Sequence, residues 1–233
     1  MAEPNTPDAV LEDLRAATDA EKIAYVTRFY AGDSTWNRVM GVPMPKVFPI
    51  AKAHAGMDME GIEALLDDPH YEARMTAVSI MDFQVAKASC PEEQRKALYE
   101  LYLRRHDRID TWDLVDRAAP KVIGRYLEDR DRSVLDDLAL SDNPWERRTA
   151  IVATFAFLRL GEVSDTLRIA GLLAGDPHTY VQKAVGSWLR EAGKRDESAL
   201  VAFLTAYRDV LPKPTRKAAT EKLSPALQAE FRG

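Results

Sequence analysis

Trp112 and Asp116 form the first pair of residues in the sequence whose types and spacing could do chemistry. They are four residues apart, so on an α-helix their side chains lie on the same face. An indole offers a stacking surface, and a fixed carboxylate supplies negative charge where a cation forms. Cleavage of an N-glycosidic bond needs such a charge, because the sugar gains oxocarbenium character as the base departs. The same spacing is also typical of a core tryptophan beside a capping or ion-paired aspartate, so spacing alone leaves both interpretations open. Asp113 is expected to point about a quarter-turn away from the pair.

Other kinds of catalytic site find little support in the sequence. The chain has one cysteine and four histidines, and no two histidines lie three or four residues apart, so we expect no zinc site. No glycine-rich phosphate loop, nucleophile elbow or His-Glu-x-x-His motif occurs. The three-residue spacing of the acids from Asp107 to Asp116 does not match a calcium loop. We therefore expect no metal site.

The elements that must position these residues are predicted to be helices. Beyond a polar tail at residues 1–8, apolar residues recur at three- and four-residue spacing, and glycine and proline fall mainly between these segments. The pattern predicts an all-α fold in a single domain over residues 9–233. The start of the chain lacks the features of a signal peptide, and no apolar run is long enough to cross a membrane. We expect a monomeric cytoplasmic protein without a membrane partner.

A repeated block subdivides this helical pattern. Each block opens with an aspartate suited to capping a helix, carries an aromatic residue soon afterwards, and begins 42, 32 and 34 residues after the one before. Such periods are typical of HEAT-like helical pairs, which stack into a solenoid with a concave face. The blocks are Asp68–Arg74, Asp110–Asp116, Asp142–Arg148 and Asp176–Gln182.

The last position of each block predicts a row of side chains on one face of the solenoid. The row holds Arg74, Asp116, Arg148 and Gln182, with Lys183 beside the last. A degenerate C-terminal copy adds Arg216 and Lys217. The net charge of −5 argues mildly against nucleic acid, but clustered cations could still form a groove that binds a phosphate backbone. Solvated helix faces with salt bridges are the alternative interpretation.

Three segments together resemble the AlkD-type DNA alkylation-repair glycosylases, a family of HEAT-like repeat proteins. The similarity is collinear from about Ile23 to Leu223, and the motifs occur in the order and spacing of the family. They are Thr111–Asp116, Ser141–Ile151 and the stretch from Val181 to Glu191.

The resemblance implies an activity and roles for several residues. Asp116 matches the catalytic aspartate of the family, Trp112 the aromatic residue beside it, and Arg148 the basic residue that holds the DNA backbone near the lesion. Lys183 and Arg74 would add charge along the backbone. The implied reaction is hydrolytic excision of N3- or N7-alkylated purines from double-stranded DNA in base excision repair, without metal or cofactor.

The sequence departs from the family at one position. Ser187 stands where the family has a tryptophan, and Trp188, one residue on, is expected to pack between repeats because one helical step turns it by about 100°. A more open site could tolerate bulky adducts. Nearer the N-terminus, Tyr30 or Trp36 could face the lesion, although core packing is the favoured interpretation. The alternative function is a non-catalytic HEAT-like scaffold that binds DNA or protein.

Overall fold

A computed structural model describes residues 5–30 and 37–232, with the side chains of residues 28–30 excepted. Throughout the described residues the regular structure is helical, and extended pairing is limited to an isolated bridge between Arg38 and His70. The predicted all-α, helical-repeat fold class is confirmed. The chain divides between Ile123 and Gly124 into two compact units, which are described separately. The single domain over residues 9–233 stays a prediction.

The first unit contains seven α-helices among its described residues. The first begins inside the segment predicted to be a tail, because the side chain of Thr6 caps it by accepting a hydrogen bond from the backbone of Ala9. The helices are α1 (Pro7–Ala16), α2 (Ile23–Tyr30), α3 (Met44–Ala53), α4 (Met59–Asp67), α5 (Tyr71–Ala86), α6 (Glu92–Arg104) and α7 (Trp112–Ala119).

Helix α5 is the buried centre of the first unit. It packs against α1, α3, α4, α6 and α7, and 14 of its 16 residues are buried. A helix enclosed on this scale also buries polar side chains, and each of these needs a partner. The polar side chains of α5 therefore determine which neighbouring segment lies against each part of the helix.

Glu72 shows how α5 orders a neighbouring segment. Its carboxylate is fully buried and accepts hydrogen bonds from the backbone N–H groups of Met40, Gly41 and Val42 at 2.9, 2.8 and 3.1 Å. Gly41 adopts a φ of +88°, a conformation that favours glycine. Glu72 thus fixes the backbone that leads into α3.

The second unit is built from eight further helices among its described residues. Its longest helix, α12, packs against α9, α11, α13 and α14. The helices are α8 (Val134–Ala139), α9 (Pro144–Ala153), α10 (Phe155–Arg159), α11 (Ser164–Leu172), α12 (Thr179–Gly193), α13 (Glu197–Ala206), α14 (Lys213–Ala219) and α15 (Pro225–Arg232).

The four sequence blocks coincide with the starts of α5, α7, α9 and α12. The prediction that their first aspartates cap these helices is wrong, because the residues at the cap positions are His70, Thr111, Asn143 and His178. The aspartates have other partners. Asp110 pairs with Arg74 of the preceding block, and Asp176 pairs with Arg147 at 2.6 Å. Within each unit, such a pair ties one block to the next.

Gly186 allows α12 and α14 to approach closely. A Cβ atom at this position would lie 2.8 Å from the Cβ of Ala218 and 3.0 Å from the carbonyl oxygen of Thr215. The glycine in the segment Val181–Glu191 is therefore explained by packing.

We expect Glu72→Gln to lower the free energy of unfolding by about 2–3 kcal/mol, because an amide NH₂ would replace an oxygen that accepts backbone N–H groups. Denaturant unfolding followed by circular dichroism measures the change. Glu93→Gln, at an exposed position on α6, is the control and should stay within about 0.5 kcal/mol of wild type. Equal midpoints for Glu72→Gln and wild type would contradict the anchoring role.

Gly186→Ala should lower the free energy of unfolding by about 1 kcal/mol. Overpacking costs roughly 1–3 kcal/mol, and the better helix propensity of alanine offsets about 1 kcal/mol of that. Gly175→Ala, in a turn beyond α11, is the control for the added methyl group alone, because its Cβ would come no closer than 3.4 Å to a side-chain carbon of Val210. If both variants are as stable as wild type, the close approach of α12 and α14 does not require glycine.

Candidate active site and nucleic-acid interface

Trp112 and Asp116 line one cleft in the first unit. The cleft has a volume of about 350 Å³ and lies between α3, α5 and α7. Met44 and Phe48 of α3 and Met75 of α5 supply apolar walls. The structure thus brings the two residues that spacing singled out into one cleft, whose lining is partly apolar and also includes Asp113 and Arg117.

Asp113 also lines this cleft, so the expectation that it points elsewhere is wrong. Positions three apart on a helix share a face, and Asp113 precedes Asp116 by three. Its carboxylate accepts hydrogen bonds from the hydroxyl of Thr111, at 2.6 Å, and from the phenol of Tyr71. Burial raises the pKa of Asp113, while the hydrogen bonds from Thr111 and Tyr71 act in the opposite direction.

The beginning of α7 is anchored to the first turn of α5. Tyr71, the first residue of α5, is fully buried and donates to Asp113 in the first turn of α7. One turn further along α5, Arg74 donates to Asp110 and, at 3.0 Å, to the carbonyl oxygen of Arg108. These bonds hold the segment that enters α7.

The end of α7 is anchored to the middle of α5. Arg117 donates to the hydroxyl of Ser79 at 2.9 Å and pairs with the buried carboxylate of Asp82, also at 2.9 Å. Lys121, just beyond α7, pairs with the same carboxylate at 2.9 Å. Asp116 therefore lies between two points at which α7 is held.

Pro120 ends α7 four residues after Asp116. A proline has no backbone N–H, so residue 120 cannot donate the usual helical hydrogen bond to the carbonyl of Asp116. The chain continues as a π-helical turn over Pro120–Gly124. Such turns are rare overall, but where they occur they are often at functional sites. The helix thus changes type about one turn after Asp116.

This geometry fits a reaction in which a cation forms beside a carboxylate. Apolar walls lower the local dielectric, so a carboxylate acts on a neighbouring positive charge more strongly than it would in water. The aromatic and thioether side chains of the cleft offer contact surface for a planar base.

Arg74 does not lie at a surface. It is fully buried, and Asp110, Asn37 and the carbonyl of Arg108 accept hydrogen bonds from its guanidinium. A guanidinium in this position has no exposed surface with which to contact a phosphate. We therefore exclude Arg74 from the DNA interface predicted from the sequence.

In the second unit, Arg148 and Lys183 lie near an aromatic cluster. Arg148 is 5% exposed and donates to the carbonyl oxygen of Tyr180, while the ammonium of the exposed Lys183 lies 4.9 Å from the centre of the Tyr180 ring. The ring of Trp145 contacts those of His178 and Tyr180, with centroids 5.2 and 5.8 Å apart. Cations beside partly exposed aromatic rings suit a sugar-phosphate backbone.

The remaining candidate cations divide between the interior and the surface. Arg216 donates to the carbonyl oxygens of Arg208, Leu211 and Phe231, so its guanidinium joins the C-terminal helices. Lys217 is exposed.

The structure confirms the predicted packing role of Trp188. Its indole donates to the carbonyl of Val152 at 3.2 Å and meets the ring of Phe155 edge-on. The half-buried Ser187 precedes it on α12. Of the N-terminal aromatic residues that could face a lesion, Trp36 and the side chain of Tyr30 lie outside the described residues.

Sequence reasoning missed Arg117 and the apolar walls of the cleft. Arg117 is adjacent to Asp116 in the chain, and this adjacency is the one sequence signal that could have drawn attention to it. Met44, Phe48 and Met75 carry no comparable signal, because their meeting depends on how α3 and α5 pack.

No three histidine, cysteine, aspartate or glutamate side chains among the described residues converge to hold a metal ion. None of the helices in the described part of the chain is long and apolar enough to cross a membrane.

The raised pKa of Asp113 predicts a pH-dependent difference between wild type and Asp113→Asn. A carboxyl with a raised pKa in the fold contributes stability that is complete below its ordinary pKa of 3.8 and is lost as the pH rises through the raised value. The stability of wild type relative to Asp113→Asn should therefore fall with rising pH. Melting temperatures of both proteins from about pH 4 to about pH 8 measure this. A constant difference across that range would show that Asp113 has no raised pKa.

Comparisons with known proteins place these features in a family. The model of the family described as DNA alkylation repair enzyme matches residues 10–223. A solved structure, described as a predicted DNA alkylation repair enzyme from Enterococcus faecalis, is 17% identical, with a TM-score of 0.67 over 89% of this chain and 97% of that one. That structure supports the fold. None of the curated proteins matches the sequence. Because the family model covers most of the chain, the protein belongs to the DNA alkylation repair enzyme family.

Proposed function

We propose that this protein is a DNA glycosylase that excises N3- or N7-alkylated purines from duplex DNA by hydrolysis of the N-glycosidic bond. The observation that carries the proposal is the shared cleft of Asp116 and Trp112, with its apolar walls. Membership of a family of DNA alkylation repair enzymes supports DNA as the substrate.

The proposed reaction needs only one carboxylate. A purine alkylated at N3 or N7 is already cationic, so it can leave with the electron pair of the C1′–N bond without a proton from the enzyme. The sugar then carries oxocarbenium character, which the charge of Asp116 stabilises. Water adds its oxygen to C1′, and Asp116 orients that water and accepts its proton. The products are an abasic site and the free alkylated base.

The apolar side chains of the cleft have a complementary role in this proposal. Trp112, Met44 and Phe48 contact the nucleotide that bears the lesion and limit the water around Asp116. The anchors at both ends of α7 keep the carboxylate in place before substrate arrives, and such preorganisation is what electrostatic stabilisation of a transition state requires.

We assign the backbone contacts in the second unit to Arg148, Lys183 and Lys217. Lys183 is the best supported, because its exposed ammonium lies beside the ring of Tyr180. Arg148 is mostly buried, so only its small exposed part would contact a phosphate. Arg216 is half-buried and, like Arg148, donates to backbone carbonyls, so it too would contact a phosphate only through its exposed part.

Base release from duplex DNA tests the proposal. The substrate is a duplex with one N7-methylguanine or N3-alkyladenine, and wild type is compared with Asp116→Asn under single-turnover conditions. Removing the charge of Asp116 should slow release by about 10²-fold or more. Asp107→Asn, an exposed aspartate that pairs with Arg105 and Arg108, is the control and should release base at the rate of wild type.

Two results would contradict the proposal. Equal rates for wild type and Asp116→Asn would remove Asp116 from the chemistry. Tight binding of the alkylated duplex by wild type without any base release would instead support the alternative, a DNA-binding scaffold without catalysis.

A further inference from the structure

Arg117 lines the same cleft as Asp116 but has no part in the reaction proposed above. It follows Asp116 directly on α7, and its side chain is 21% exposed. A guanidinium at the wall of a catalytic cleft is either an internal ion-pair partner or a group that binds substrate. The geometry and the charge around it distinguish the two roles.

The guanidinium of Arg117 is fixed in orientation. Its Nε donates to Ser79 and one Nη pairs with Asp82, both at 2.9 Å. Its central carbon lies 5.1 Å from the ring centre of Phe48 and 4.8 Å from that of Phe83. An arginine side chain carries five N–H donors, and these two bonds use two of them. The other three N–H donors belong to the same guanidinium, which these contacts already hold in place next to the cleft.

Arg117 shares the carboxylate of Asp82 with a second cation, Lys121. Asp82 is 2% exposed and holds both Arg117 and Lys121, so a single buried carboxylate faces two positive groups. Lys121 contacts both oxygens of Asp82, at 2.9 and 3.0 Å, and by itself balances that carboxylate. An internal ion pair does not require Arg117 as well.

We propose that Arg117 binds a backbone phosphate of the nucleotide that occupies the cleft. This rests on the proposed function only in that DNA enters the cleft of Asp116. A guanidinium presents a planar fork that matches the oxygens of a phosphodiester, and its N–H donors form strong charge-assisted bonds to them. Because Ser79, Asp82, Phe48 and Phe83 already hold the side chain, little conformational entropy is lost on binding.

The salt dependence of DNA binding tests this contact separately from catalysis. Affinity for a short undamaged duplex is measured by fluorescence anisotropy over a series of salt concentrations. Each phosphate contact contributes about 0.9 to the slope of log affinity against log salt concentration. Arg117→Gln should therefore have a slope shallower by about 0.9 and should bind roughly tenfold more weakly at low salt.

The chain offers a matched control and a rescue variant. Arg104, on α6 and away from the cleft, is another arginine that pairs with a carboxylate, that of Glu63. Arg104→Gln should therefore keep the slope of wild type. Arg117→Lys keeps one positive charge and should restore the slope, while the loss of the planar fork leaves affinity below that of wild type.

A folding defect in Arg117→Gln would not prevent the measurement. The double variant Asp82→Asn/Arg117→Gln removes the buried carboxylate together with Arg117. Its other partner, Lys121, is 35% exposed, so no charge is left unpaired in the interior. Its slope should likewise be shallower than that of wild type by about 0.9.

The results separate this proposal from the proposed function. An unchanged slope in Arg117→Gln, or in the double variant, would overturn the phosphate contact even if Asp116→Asn has lost base release. A shallower slope combined with equal release by wild type and Asp116→Asn would support the contact and contradict the glycosylase. Failure of wild type to bind any duplex would overturn both.

Discussion

The candidate site depends on the hydrogen bonds and ion pairs that tie α7 to the buried helix α5. A helix of eight residues is marginal by itself, so its position has to come from its neighbours. Tyr71 of α5 holds the start of α7 through Asp113, and Asp82 holds its end through Arg117. Asp116 lies between these points. The backbone position of Asp116 is therefore fixed by interactions made elsewhere on the helix.

Polar anchors serve this purpose better than apolar packing alone. Apolar contacts are non-directional, and a helix held only by them can slide or rotate at modest cost. A buried carboxylate such as Asp82 or Asp113 leaves an unsatisfied group if its partner moves, which costs several kcal/mol at an order-of-magnitude level. The helix then has one favoured register. A catalytic carboxylate needs this constraint, because its electrostatic effect depends on not having to reorganise during the reaction.

The sequence predicted the helical fold class and the shared helix face of Trp112 and Asp116, because both follow from local spacing. Local spacing could not predict the burial of Arg74, since the same position in a repeat can face solvent or the interior, depending on neighbouring helices. The apolar wall residues, such as Phe48, and the anchor Asp82 were missed for the same reason. Their roles depend on contacts between segments about 30 or more residues apart, which no single-segment pattern contains.

These contacts also change what the net charge of −5 indicates about DNA binding. Asp110 and Asp176 face arginines of the preceding blocks, and each such pair removes one negative and one positive charge, so the net charge is unchanged. The total therefore does not show where on the surface the remaining cations lie. What matters is where the charges lie, and one buried carboxylate, Asp82, faces two cations, Arg117 and Lys121. An acidic protein can thus present cations where its substrate binds, because the total charge does not determine how the charges are distributed.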